Sequence, residues 1–281
     1  MPGALVDLSY FPGCSLATTA RENDQSLRKV CAQIGFRLVE IEDWNCCGSS
    51  SAHSINADLA FHLACRNLSL APPGRPLLVA CPSCIIRLRS AHYRLKQDTS
   101  RQVDYERRWG RPPDADLNII HFFELMDANG HPVQKPAAVL NGLRFAPYYG
   151  CMLAQPPELR HEKSYRDLME KLLHSYGAES VLWSYHSRCC GTYLSVARPD
   201  VAEPMVNRII QGALDAGAEC IVTACAMCHL NLEIRCGLKN KLPIFHFSEL
   251  LSLALRIPVP KSWFAKHLVD PMPLLAKRGI L

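Results

Sequence analysis

The residues best able to do chemistry in this sequence are its cysteines. Cys46-Cys47-Gly48 recurs as Cys189-Cys190-Gly191, and each copy sits inside a longer matching pattern. Tyr10-Phe11-Pro12-Gly13-Cys14 precedes the first pair and Cys81-Pro82-Ser83-Cys84 follows it; Tyr148-Tyr149-Gly150-Cys151 and Cys225-Ala226-Met227-Cys228 flank the second. Thirty-one residues separate Cys14 from Cys46 and thirty-seven separate Cys151 from Cys189; thirty-three lie between Cys47 and Cys81, and thirty-four between Cys190 and Cys225. Ten of the fourteen cysteines therefore form two sets of five, the mark of an internal duplication.

A structural zinc takes four ligands, and so does an ordinary cubane iron–sulfur cluster. Five cysteines are one too many for either. Neighbours on an extended loop point apart, so Cys46 and Cys47 would reach different metal atoms, which suits a polynuclear iron–sulfur cluster better than one ion. Gly13, Gly48, Gly150 and Gly191 would let backbone N–H groups approach an anionic cluster. Cys81-Pro82 reads as a helix N-cap followed by proline at the first helical position, which aims a helix N-terminus at the thiolates. Ala226 replaces that proline in the second half.

Other readings of these cysteines are two zinc sites, a thioredoxin-like C-x-x-C, and, at Cys225-Ala226-Met227-Cys228-His229, a c-type haem attachment pattern. The thioredoxin reading leaves Cys14 and Cys46-Cys47 without a task. The haem pattern is not repeated, because Ile85 follows Cys84. Cys31, Cys65 and Cys220 lie in apolar stretches and read as small core residues, with Cys236 either buried or exposed. His53, His186 and His229 lie near the motifs and are the candidates for a proton-transfer step in thiol chemistry. The arginines between Arg87 and Arg111 could face an anionic substrate or partner, or simply solvent.

The chain's 281 residues allow two domains of ordinary size, and the duplication argues for two halves. A content of 48% hydrophobic and 20% charged residues is that of a globular protein, and a net charge of +5 does not suggest nucleic acid. No secretory signal and no membrane-length apolar run is visible, so the sequence predicts a cytoplasmic protein. There, fourteen cysteines point to metal or redox chemistry rather than disulfides. No glycine-rich nucleotide fingerprint is present, so flavin or nicotinamide would sit on another chain.

The elements that must position the cysteines alternate. In the first half they are a strand at 4–10, a helix opened by Thr19 or Asn23 and stopped by Gly35, a strand at 36–41, a helix at 56–70, and a buried strand at 77–80. The second half repeats them as 143–149, a helix at 164–176, a strand at 180–183, a helix at 201–216 and a strand at 220–224. Both end alike, at Ile119-Ile120-His121-Phe122-Phe123-Glu124 and Ile244-Phe245-His246-Phe247-Ser248-Glu249. This rhythm predicts an α/β fold of two pseudo-symmetric repeats, each a small mostly parallel sheet with crossover helices. The expected units are residues 1–137, 138–257 and a C-terminal extension at 258–281, which packs on the body or docks on a partner. The polar stretch 96–117 reads as an insertion.

The doubled pattern resembles the CCG cysteine-rich domain family, and two copies filling a short chain resemble the family of heterodisulfide reductase B subunits. The resemblance implies two non-cubane [4Fe-4S] clusters facing one cavity between the halves. Cys14, Cys46, Cys47, Cys81 and Cys84 would bind one, and Cys151, Cys189, Cys190, Cys225 and Cys228 the other. It implies an oxidoreductase acting on a small disulfide or persulfide carrier, within a complex that includes a ferredoxin-like C subunit and a flavin-bearing A subunit. The twenty-one arginines against ten lysines lean toward a bacterial sulfur-metabolism version. The alternative is an electron-transfer CCG subunit of a glycolate-, lactate- or succinate-type dehydrogenase; a zinc-binding scaffold is a third class. From symmetry, the loops at Cys46-Cys47 and Cys189-Cys190 are expected to approach each other between the halves.

Overall fold

The structure, a computed structural model, describes residues 4–49, 52–129, 138–151, 159, 165 and 167–281. The first half runs β1 (Val6–Phe11), α1 (Gly13–Ala17), α2 (Arg21–Gln33), β2 (Phe36–Glu40), α3 (Ala52–Ile55), α4 (Ala57–Leu70), β3 (Leu77–Val79), α5 (Pro82–Gln97), α6 (Thr99–Trp109), β4 (Ile119–Ile120) and α7 (Phe122–Asn129). The second runs β5 (Arg144–Tyr148), α8 (Leu168–His174), β6 (Glu179–Ser180), a 3-10 turn at Thr192–Leu194, α9 (Pro199–Asp215), β7 (Cys220–Thr223), α10 (Ala226–Ile234), β8 (Ile244–His246) and α11 (Phe247–Ala254). The tail adds α12 (Lys261–Phe264) and α13 (Met272–Lys277).

Each half is a four-stranded sheet, ordered β2-β1-β3-β4 and β6-β5-β7-β8, and every pairing is parallel. The α/β duplication expected from the sequence is thus the fold. Leu77-Leu78-Val79 is buried throughout, as a central parallel strand covered on both faces must be. In this order the chain leaves β1 for one side of the sheet and returns to the other. The gap between β1 and β3 is therefore a switch point, where loops at the carboxyl ends part and leave a crevice. Cys14 follows β1 and Cys81 follows β3; Cys151 and Cys225 hold the same places after β5 and β7.

Several expected elements shift for identifiable reasons. Neither Thr19 nor Asn23 caps α2: Ala20 occupies that position without a side-chain bond, and Asn23 is fully buried inside the first turn. The strand expected at 180–183 pairs only at Glu179–Ser180. Pro147 on β5 has no N–H to continue the ladder, and its carbonyl accepts the Trp183 indole N–H at 3.0 Å. The helix expected at 164–176 is seen over Leu168–His174; residues 164 and 166 lie outside the described residues. Within 96–117 the chain forms α6, capped by Asp98, which accepts from Ser100 N at 2.9 Å and Arg101 N at 3.2 Å. The tail packs back on the body, burying Trp263, Phe264 and Leu275. Cys31, Cys65, Cys220 and Cys236 are all buried.

The halves share their core. α2 of the first half packs on α11 of the second, and α7 of the first on α8 of the second. Between them Phe122, Phe123 and Phe247 stack, with Phe247 centred 5.2 Å from Phe122 and 4.7 Å from Phe123. His121 and His246 stand at the equivalent helix starts, and the N–H of each donates 2.8 Å to the carboxylate three residues on, Glu124 or Glu249. Glu124 also takes both oxygens to Arg89 Nη2, at 2.9 and 2.8 Å, and Arg89 donates 2.7 Å to Tyr165 of the other half. Arg89 is 6% exposed and Glu124 14%. Removing one member of such a pair strands a buried charge. Arg89→Ala is therefore expected to lower stability by about 3 kcal/mol, read from anaerobic denaturant unfolding; a loss under about 1 kcal/mol would show that Glu124 does not depend on it.

Candidate metal centre

All ten motif cysteines lie beyond the carboxyl ends of the strands. Cys14, Cys46, Cys47, Cys81 and Cys84 line one cleft, and Cys151, Cys189, Cys190, Cys225 and Cys228 line another. Ser49, Ser83 and Met227 line both, so the two clefts adjoin. Across the halves, Cys81 Sγ and Cys225 Sγ are 3.8 Å apart, and Ser83 Oγ lies 3.5 Å from Cys151 Sγ. The contact expected from the two Cys-Cys-Gly loops is made here by the residues that begin α5 and α10. Cys81 and Cys225 are the N-caps of those helices, in extended conformation, with Pro82 opening α5.

Local backbone chemistry explains the loops. Gly48 has φ +81° and Gly191 φ +75°, the left-handed region that favours glycine, and each N–H donates to the sulfur two residues earlier. The distances are 3.4 Å from Gly48 N to Cys46 Sγ and 3.3 Å from Gly191 N to Cys189 Sγ. A side chain at Gly48 would press its Cβ to 3.2 Å from Ala60 Cα. Burial grades outward: Cys14 and Cys189 are exposed, Cys46 and Cys151 partly so, and the other six are buried.

The sulfurs do not behave alike. Cys81 is held well below the usual thiol range, by the Cys225 and Cys84 thiols and, against its burial, by the Cys84 and Ser83 N–H groups. Cys190 is also lowered, by the Cys228 thiol and, against burial, by Thr192 and Asn231. Cys84 is raised by Cys47, Cys81 and burial; Cys228 is raised by Cys190, Cys225 and burial. So many thiols in so little space cannot all ionise unless cations join them.

That donor set fits a metal cluster. Among the described residues, neither cleft is lined by a carboxylate or an imidazole. Four thiolates around one zinc lie about 3.8 Å apart. The second cleft encloses about 200 Å³ and the first about 10 Å³. Cys47 and Cys84 are drawn to 3.0 Å in the first set, against 3.4 Å for Cys190 and Cys228 in the second. The second cleft has room for a polynuclear cluster; the first would take one once Cys47 and Cys84 part.

The histidines singled out from the sequence do not line these clefts. His53 borders a separate surface pocket with Arg87 and Arg94. His186 accepts the Tyr149 and Gly150 N–H groups on its carbonyl, each at 2.9 Å. His229 is buried, 3.3 Å from the Asn23 side chain. Of the arginines between 87 and 111, Arg87 borders the second cleft; Arg89 is internal, and Arg101, Arg107 and Arg108 pair with Asp98 or Asp104 on the surface. Ser49, Ser83, Met227 and Thr192 carried no signal beyond sitting next to motif cysteines.

Comparison with known proteins agrees with this duplication. The family described as CCG, Cysteine-rich domain, matches residues 8–89 and 145–233. The chain is 27% identical to the 8-methylmenaquinol:fumarate reductase membrane anchor subunit of Wolinella succinogenes, covering 95% of this chain and 99% of that one. It is 25% identical to the B subunit of the ferredoxin/F(420)H(2)-dependent CoB-CoM heterodisulfide reductase of Methanosarcina acetivorans, covering 97% of each chain. A solved structure of a hypothetical protein from Helicobacter pylori shares the fold, with TM-score 0.74 and 11% identity over 95% of this chain. This chain spans 53% of that one. With one copy of the pattern in each half, the chain belongs to the CCG cysteine-rich domain family.

Proposed function

We propose that this chain is the catalytic iron–sulfur subunit of a heterodisulfide-reductase-like complex, acting on a small disulfide or persulfide. The observation that carries the reading is the adjacency of the two cysteine sets, with Cys81 and Cys225 in contact and a shared wall of Ser49, Ser83 and Met227. Cys14, Cys46, Cys47, Cys81 and Cys84 would hold one non-cubane [4Fe-4S] cluster; Cys151, Cys189, Cys190, Cys225 and Cys228 would hold the other. When bound, each cluster supplies one electron, and a disulfide needs two electrons and two protons to become two thiols. The chain's own part is to place a substrate against both sets. The second cleft supplies apolar walls in Met227, Ile86 and Tyr193, a cation in Arg87 and hydroxyls in Ser49, Ser83 and Thr192. Electrons would arrive through the ferredoxin-like C subunit from the flavin-bearing A subunit, in the cytoplasm.

A second reading rests on the similarity to the quinol:fumarate reductase chain, which covers nearly all of both proteins. In it the two sets form a relay for a succinate-type enzyme, and no sulfur substrate is used. That relative is named as a membrane anchor; among the described residues here, no helix is long and apolar enough to cross a membrane.

Strictly anaerobic protein is expected to carry about eight irons with matching acid-labile sulfide per chain; zinc as the sole metal would end both readings. Cys47→Ser and Cys190→Ser should each remove about half of that iron, because each set has its own ligands, whereas loss of all iron from a folded variant would mean that the sites are interdependent. To separate the readings, protein reduced with dithionite and freed of excess reductant is mixed with glutathione disulfide and, separately, glutathione persulfide. Return of the oxidised cluster absorption with release of two thiols per disulfide, or of sulfide from the persulfide, supports the sulfur reading. Protein that stays reduced with both, yet is oxidised by a one-electron dye, favours the relay.

A further inference from the structure

The tail meets the second cysteine-bearing helix in a buried group of polar side chains that the cysteine sites do not use. His229 and Glu233 stand one turn apart on α10, and His267 comes from the segment after α12. Their side chains are 7%, 2% and 1% exposed. His229 Nε2 lies 3.7 Å from Glu233 Oε1, and His267 Nδ1 lies 3.6 Å from that same oxygen. Both separations are too long for hydrogen bonds. Among the described residues, Glu233 Oε1 and His267 Nδ1 are buried with no hydrogen-bond partner. Native interiors rarely leave such atoms facing one another unpaired.

These separations are those of ligands around a shared ion. Two imidazoles and a carboxylate at about 2.0–2.2 Å from one cation place neighbouring ligand atoms about 3.3–3.6 Å apart. The outward-facing atoms are already engaged, as metal ligands require of their surroundings. His267 Nε2 lies 2.9 Å from Glu249 Oε1, which leaves Nδ1 turned to Glu233. Glu233 Oε2 accepts the Leu268 N–H at 2.9 Å. His229 Nδ1 faces the Asn23 side-chain amide at 3.3 Å, and Asn23 Oδ1 is itself buried without a partner among the described residues. Exchanging the amide's O and N, which have the same shape, sets Oδ1 to accept from His229 Nδ1 and frees Nε2 for the centre.

We propose that His229, Glu233 and His267 bind one divalent transition cation, zinc or ferrous iron, which staples the C-terminal tail to the helix carrying Cys225 and Cys228. Two imidazoles and one carboxylate suit those ions, with further positions left to water. The site uses no cysteine, so it stands whatever the ten cysteines hold.

The test uses the full chain, purified anaerobically without chelator from cells supplied with zinc and iron. Zinc, iron and acid-labile sulfide are counted, and X-ray absorption is recorded at the zinc edge. The expected result is one extra metal per chain: zinc with nitrogen and oxygen neighbours only, or iron exceeding sulfide by one equivalent. Glu233→Gln and His267→Gln should lose that equivalent and keep the sulfide. Absence of both nitrogen/oxygen-bound zinc and excess iron overturns the proposal, as does an extra metal that both variants retain. Should the variants fail to fold, the metal count and edge spectrum of the parent chain decide alone. Failure of the cysteine reading shows separately, as missing sulfide or as zinc with sulfur neighbours.

Discussion

A seam of aromatic rings holds the two parallel sheets together, and the two cysteine clefts adjoin because it does. Phe122, Phe123 and Phe247 meet where the last helix of one half abuts the other. α2 crosses onto α11 and α8 onto α7, so each half completes the other's core. Parallel sheets must be covered on both faces, and neither four-stranded sheet could bury its surface alone.

Electrostatics sets the second constraint. Six buried thiols and four nearer the surface share two adjoining clefts, with no carboxylate among the described residues of their walls. The surroundings are arranged for negative charge: glycine N–H groups at Cys46 and Cys189, helix N-termini at Cys81 and Cys225, and Arg87 at the rim. The thiols themselves are lowered at one place in each set, Cys81 by the Cys225 and Cys84 thiols and Cys190 by the Cys228 thiol, while burial and crowding raise Cys84 and Cys228.

The duplication is kept in topology and relaxed in chemistry. At both His-x-x-Glu helix starts the glutamate accepts the histidine N–H, but a full capping box is closed at His246, while Glu124 turns its carboxylate to Arg89 and Glu249 turns its own to His267. Among the described residues, the first half carries α6 where the second has no counterpart, and the tail packs on the combined body. The clefts differ as well, the second roomier than the first. A substrate or partner would therefore meet two unlike faces.

The sequence by itself determined the two cysteine sets, the α/β repeat and most strands, because cysteine spacing and apolar runs are local properties of the chain. Leu77-Leu78-Val79 reads as a buried strand before any fold is known. It did not determine where the β6 pairing stops, because that depends on which strand Pro147 lies beside. Asn23 looks like a helix cap in sequence; only tertiary packing turned it inward to His229. The contact of Cys81 with Cys225, residues 144 positions apart, depended on how two sheets dock. The grouping of His229, Glu233 and His267 was equally hidden, because one of its three members lies on a tail whose path is set by Trp263, Phe264 and Leu275 finding the shared core.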